Sequence, residues 1–224
     1  MTASNRPKQT DTFLKSEGDA WFSRNATVLK EDRDDIVLRV LSHLKTKPKR
    51  VLEIGAANGY RLAAIERLHG SACAGVEPSA KAVEEGKAAY PSIDLKVGAA
   101  DSLPFDDNTF DMVIIGFCMY LVDPELHFRA VAEADRVLSE GGLLVIFDFQ
   151  TPAPYYNDYA HLPGLRAHKM DFSSLFTAHP SYSLVHRELN QAGGDTYMDL
   201  DRREGVDVLT KNMGRAFPPN PYKS

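Results

Sequence analysis

Between Arg50 and Phe149 the chain alternates short apolar runs with longer stretches in which apolar residues recur every three or four positions. The runs at 50–54, 73–77, 93–97, 111–116 and 143–149 predict buried strands, because continuous apolar segments of this length suit strands covered on both faces. The stretches at 59–69, 79–90 and 124–138 predict helices. In the last of them Leu126, Ala130, Val131, Ala134, Val137 and Leu138 share one face. Strand and helix in strict succession make βαβ units, hence an α/β protein with a parallel sheet.

The flanks follow other patterns. The first ten residues are polar and expected to be loose. Phe13, Leu14, Trp21 and Phe22 within 12–25, and Ile36, Val37, Val40, Leu41 and Leu44 within 32–44, predict two helices ahead of the first strand. Residues 150–180 are punctuated by Pro152, Pro154, Pro163, Gly164 and Pro180 and rich in Tyr and His, which predicts an irregular cover over a site. Strands are expected at 182–189 and 206–210 as an antiparallel edge pair, separated by Gly193-Gly194 and the charged stretch 199–204. The tail from Met213, with Pro218, Pro219 and Pro221, is expected to wrap the surface or stay loose.

At 224 residues and 43% hydrophobic content, the chain suffices for one substantial core. One domain is expected: N-terminal helices at 1–48, a ligand-binding core at 49–149, a substrate cover at 150–180 and C-terminal strands at 181–212. A net charge of −5 argues against a nucleic-acid partner, which leaves a basic footprint. With no apolar run of membrane-spanning length and no secretory signal, a cytoplasmic protein is expected, monomer or homodimer, with no membrane partner. Cys73 and Cys118 are expected to stay reduced there. Neither C-x-x-C nor H-E-x-x-H spacing occurs, so no metal site is predicted.

The chemistry concentrates where the first strand breaks into a turn, Val51-Leu52-Glu53-Ile54-Gly55-Ala56-Ala57-Asn58-Gly59-Tyr60. Gly55 and Gly59 remove side chains from the path of a bound group, and the helix opening near Gly59 aims free N–H groups at the same space. The dinucleotide fingerprint G-x-G-x-x-G fails, since Ala57 and Tyr60 stand at its second and third glycines. A phosphate-binding G-K-[ST] is absent too. The second strand ends in Glu77-Pro78-Ser79, where a carboxylate can accept two ribose hydroxyls; as a bland alternative, Ser79 caps the next helix. The third leads to Ala100-Asp101-Ser102-Leu103-Pro104-Phe105, and Asp106-Asp107-Asn108-Thr109-Phe110-Asp111 follow.

These motifs, with Gly116-Phe117-Cys118-Met119-Tyr120 after strand four and Arg136-Val137-Leu138-Ser139-Glu140-Gly141-Gly142 before strand five, resemble the class I S-adenosylmethionine-dependent methyltransferases, type 11-like. The resemblance covers about residues 49–150. It implies a Rossmann-like fold: a mostly parallel seven-stranded sheet with an antiparallel edge strand and helices on both faces. It also implies S-adenosyl-L-methionine as cofactor, bound by Glu53, Gly55, Ala56, Asn58, Gly59, Glu77, Pro78, Asp101, Ser102, Gly116 and Phe117. Asp101 would accept from the adenine amino group, and Phe117 would offer a π face to the sulfonium. Ala57 departs from the pattern, where a glycine is common. Arg61 is read as the first helical turn and Arg136 as architectural.

The implied reaction is in-line displacement onto a small-molecule acceptor, a sugar or natural-product intermediate. Positioning and desolvation supply much of its rate. If the acceptor is an alcohol, a base is needed. His161 and Tyr156 lead the candidates, ahead of His168, Asp148, Tyr155 and His127. The helix carrying Trp21 is expected to pack on the sheet edge in preference to covering the donor. A nicotinamide-dependent oxidoreductase and a non-catalytic nucleoside-binding module are the alternatives. A nucleic-acid methylase is disfavoured, because no N-P-P-[YF] or D-P-P-Y run follows strand four.

Overall fold

The computed structural model describes residues 8–190 and 199–222. Its strands are β1 Arg50–Ile54, β2 Ala72–Glu77, β3 Asp94–Val97, β4 Phe110–Gly116, β5 Leu138–Phe149, β6 Tyr155–Asp158, β7 Arg166–Lys169, β8 Tyr182–Leu189 and β9 Glu204–Lys211. Seven of them form one sheet in the order β3-β2-β1-β4-β5-β9-β8. Strands β1 to β5 are parallel, while β9 runs antiparallel to both β5 and β8. The antiparallel strand thus lies one place in from the outer edge, which β8 occupies.

The central strands are apolar on both faces because both faces are covered. Leu52, Val113, Ile115, Leu144 and Ile146 point into one cluster, which includes Ala130, Ala134 and Val137 of the helix after β4. Their chain neighbours Val51, Ile114 and Val145 point into the other, with Val37, Val40 and Leu41 from the N-terminal region. This is the period of two expressed on both sides of a sheet. Strand order reverses between β1 and β4, so a crevice opens at their carboxyl ends.

The helices are α1 Lys8–Thr12 and α2 Gly18–Asn25, joined by a π-helical turn at Phe13–Glu17, then α3 Ile36–Leu44, α4 Tyr60–His69, α5 Ala80–Ala89, α6 His127–Val137 and α7 Ser174–Thr177. Two are capped by side chains. Asp35 accepts from Val37 N–H and Leu38 N–H at the start of α3, and Ser79 from Ala82 N–H at the start of α5. Ser79 is therefore the cap that the sequence suggested.

Several expectations need correction. Strand β5 starts at Leu138, because Gly141, in the left-handed region, is absorbed as an irregularity in the β4–β5 register and does not end the pairing. Residues 150–180 hold the antiparallel hairpin β6–β7 as well as α7; alternation across Tyr155–Asp158 is too short to stand out from the prolines around it. Residues 8–10, expected to be loose, belong to helix α1, in which Gln9 and Thr10 are buried; residues 1–7 lie outside the described residues. The tail after β9 contains one 3-10 turn, Met213–Arg215. Gly193-Gly194 lie outside the described residues.

Cys73 and Cys118 are free thiols. Among the described residues no helix is long and apolar enough to cross a membrane, and no cluster of side chains is arranged to hold a metal ion.

Candidate active site

A cleft of about 770 Å³, its open mouth included, lies at the carboxyl ends of the parallel strands. Its floor is Ile54 and Gly55 from β1, Val76 to Pro78 from β2, and Gly116 to Cys118 from β4. Gly55 is required there. Its φ is +78°, and a Cβ would stand 2.7 Å from that of Cys118.

Glu77 is buried at the end of β2. Its Oε2 accepts from Ala57 N–H at 3.0 Å and its Oε1 from Ser79 N–H at 2.9 Å. Each carboxylate oxygen thus retains acceptor capacity for a bound hydroxyl. Burial pushes its pKa up to about 7, against the two backbone hydrogen bonds.

Asp101 projects from the loop after β3 beside Gly98, Ala99 and Ala100. It is buried, yet its Oδ1 has no hydrogen-bond partner. An unsatisfied buried acceptor on a cleft wall is costly unless a ligand supplies the donor. Arg136 fastens this loop, donating to the carbonyls of Leu103 (3.1 Å) and Phe105 (2.7 Å), while Glu133 accepts from Leu103 N–H at 2.7 Å. The architectural reading of Arg136 acquires a purpose: it holds the loop that presents Asp101.

Phe117 has a φ of +57°, unusual for a bulky residue. Its ring is clamped among Tyr120, Phe147 and Phe149, with centroids 4.9, 5.0 and 5.1 Å away. Ala57 is also left-handed, at +49°. Its methyl group packs with Phe22, Leu29 and Tyr60, which offsets the strain that a glycine would avoid.

The far wall is the N-terminal helix, correcting the expectation that it packs on the sheet edge: Thr10, Phe13, Gly18 and Trp21 face the cleft. Polar contacts hold it at both ends. Asp123 Oδ2 accepts from Thr10 N–H (2.8 Å) and Thr10 Oγ1 (2.7 Å), while Gln9 donates to the carbonyls of Leu121 and Arg166 and accepts from Arg166 N–H. At the other end, Asp19 accepts from Ser79 Oγ at 2.6 Å and Lys81 N–H at 3.0 Å. Polar residues as far as 157 positions apart carried no periodic signal for these contacts.

Residues 52–146 match the methyltransferase domain family. That match spans less than half of the chain and is a likeness to the methyltransferase domain. The Bacillus subtilis protein named uncharacterized methyltransferase YcgJ is 29% identical over 161 residues, 65% of this chain and 61% of that protein. The demethylmenaquinone methyltransferase of Beutenbergia cavernae is 35% identical over 118 residues, 51% of this chain and 48% of that one. The chain thus spans about half to three fifths of the length of these curated relatives. Among solved structures, Burkholderia thailandensis 1,6-didemethyltoxoflavin-N1-methyltransferase superposes with a TM-score of 0.68 at 16% identity, covering 95% of this chain and 93% of that one, a likeness of fold.

Not every residue expected at the methyltransferase site lines its cleft. Gly55, Glu77, Pro78, Asp101, Gly116 and Phe117 do. Ala56, Asn58 and Gly59 shape the loop from behind: Asn58 Nδ2 donates to Leu29 carbonyl at 3.5 Å, and Gly59 is the left-handed residue ahead of α4. Ser102 is exposed on the outer side of its loop. Glu53 turns away and is buried against Arg61.

Arg61 is the residue whose role the sequence did not disclose. Its Nη1 donates to Glu53, its Nε to both oxygens of Asp35 at 3.1 Å, and its Nη2 to Tyr60 Oη at 2.9 Å. Burial works against its charge, but Glu53, Tyr60 and Asp35 overcome it and hold its pKa well above the ordinary value. Burial in turn pushes Glu53 up to about 7, with Arg61 pulling the other way. One guanidinium ties β1, the start of α3 and the first turn of α4 together. An Arg eight residues after the strand acid was the available signal.

The candidate bases lie outside the lining. Tyr156 is half exposed on β6, and His161 is exposed with its ring edge-on to Tyr159 at 5.3 Å. No residue of 150–180 lines the cleft. The hairpin instead buttresses the N-terminal helix from outside, where Phe13, Tyr159 and Leu165 pack together. Tyr159 Oη and Arg24 both meet Glu17 Oε1 there. Asp148 is fully buried, accepts from the N–H groups of Met119 and Phe149, and is pushed by burial to about 7.

Proposed function

We propose that this protein is an S-adenosylmethionine-dependent methyltransferase acting on a small-molecule acceptor. The observation that carries the reading is that Asp101, whose buried Oδ1 has no partner, and Glu77, whose oxygens each accept one backbone N–H, line the same cleft. A nucleoside supplies what both lack: an exocyclic amine for Asp101 and ribose hydroxyls for Glu77.

In this reading Gly55 and Gly116 give the donor close approach to the strand ends, and Phe117 lies against the sulfonium end with its ring held by three aromatic neighbours. The donor brings an electrophilic methyl group. The protein's part is to orient the two partners in line and keep water out, which the N-terminal helix serves as the far wall. His161 and Tyr156 are given no proton to carry, since neither lines the cleft. A small acceptor suits a cleft closed on its far side by a helix, and accords with the names of the demethylmenaquinone methyltransferase it resembles in sequence and the didemethyltoxoflavin methyltransferase it resembles in fold.

Calorimetric titration with S-adenosylmethionine, S-adenosylhomocysteine and NAD tests the reading. Binding of both sulfur nucleosides, lost in Glu77→Ala and Asp101→Ala and absent for NAD, is expected. Selective binding of NAD would overturn it.

A further inference from the structure

Away from Glu77 and Asp101, the cleft is walled by carbon. Phe13, Trp21, Phe117, Leu121 and Val122 supply most of that side. The few polar atoms there are already engaged. Thr10 Oγ1 donates to Asp123 at 2.7 Å, Cys118 Sγ lies 3.4 Å from the Ile54 carbonyl, and Trp21 is hydrogen-bonded to Tyr120. Among the described residues that line the cleft there is no lysine, arginine or histidine.

Two exclusions follow. An anionic acceptor would give up its hydration with no cation to replace it, close to two carboxylates. A sugar would bury several hydroxyls against a wall that offers few free partners, and each unpaired hydroxyl costs binding. The lining also offers no base within reach of an acceptor. Glu77 and Asp101 belong to the donor end, and burial raises the Cys118 thiol well above its ordinary value.

We propose that the acceptor is a neutral, largely apolar molecule, flat enough to lie among these aromatic side chains, whose nucleophile needs no protein base. This rests on the methyltransferase reading and narrows it. A neutral amine satisfies it. The nucleophile's lone pair forms the new bond to the methyl carbon as the carbon–sulfur bond breaks, and that pair stays on sulfur. The amine attacks as the neutral base, and its proton passes to water after attack.

The test is calorimetry on the full chain saturated with S-adenosylhomocysteine, using 2-naphthol, 2-naphthoate, 2-naphthyl phosphate and methyl glucoside as probes. The naphthol is expected to bind roughly tenfold or more tighter than each of the others. Leu121→Asp should weaken the naphthol by a similar factor while the nucleoside still binds, which shows that the fold survives. Equal or tighter binding of a charged probe or the glucoside, failure of the naphthol to bind, or indifference to Leu121→Asp would overturn the proposal while leaving the donor site standing. Failure of S-adenosylhomocysteine to bind would instead overturn the methyltransferase reading, and this proposal with it.

Discussion

Gly116 leaves open the space that the carboxylate of Glu53 fills: a Cβ on this glycine would stand 2.4 Å from Oε1 of Glu53 and 3.1 Å from Nη1 of Arg61. The last residue of β4 is thus fixed by an ion pair on the neighbouring strand. The same residue lines the cleft, so the buried pair and the cleft share one backbone position.

Gly116→Ala should therefore destabilise the protein by about 1–3 kcal/mol, since neither partner of the pair has room to withdraw. Urea denaturation at neutral pH measures the loss. A midpoint unchanged from wild type would show that the pair yields at no cost.

Removing the cation is more severe. Arg61→Met leaves Glu53 and Asp35, both buried, without their shared partner, and an expected loss of about 3–5 kcal/mol follows. Arg61→Lys should recover only part, because an ammonium cannot span Asp35 and Glu53 with a planar fork. Equal stability of the two variants in urea would contradict this geometry.

Asp101→Asn keeps the shape of the side chain and replaces one carboxylate oxygen with a donor. Nucleoside affinity should fall about tenfold or more, for loss of a charge-assisted hydrogen bond worth about 1.5–3 kcal/mol. Calorimetry with S-adenosylhomocysteine reads it, and undiminished affinity would place the adenine elsewhere.

Glu77 supplies the pH dependence. Its folded pKa, about 7, is raised above the ordinary 4.5, so its contribution to stability is fully present below 4.5 and lost as pH rises through 7. Ribose hydroxyls donate to the ionised form and pull the pKa down, so binding releases a proton and affinity rises as pH climbs through this range. Glu77→Gln should flatten the slope of affinity against pH. If the slope persists, it belongs to Glu53 or Asp148, which burial also brings to about 7.

The apolar runs disclosed β1, β2 and β4 nearly to the residue, because strands buried on both faces need continuous apolar sequence. Glu77 ends β2 and Asp101 stands on the loop after β3, and both line the cleft, which is where the spacing of strands and turns had put them. What the sequence hid were contacts between distant polar residues. Thr10 with Asp123, Gln9 with Arg166 and Arg61 with Asp35 obey no period, and the first two decide which segment forms the far wall. The tyrosines and histidines of 150–180 suggested a site, yet none lines the cleft, and Tyr159 packs behind that wall.

The chain contains a single tryptophan, and the fold sets it into the wall of the cleft. Excitation of indole therefore interrogates one place in the molecule with no background from elsewhere. Trp21 emission is a built-in optical gauge of occupancy: nucleoside and acceptor can each be followed in real time on unlabelled protein, and the order in which they arrive can be read from stopped-flow traces.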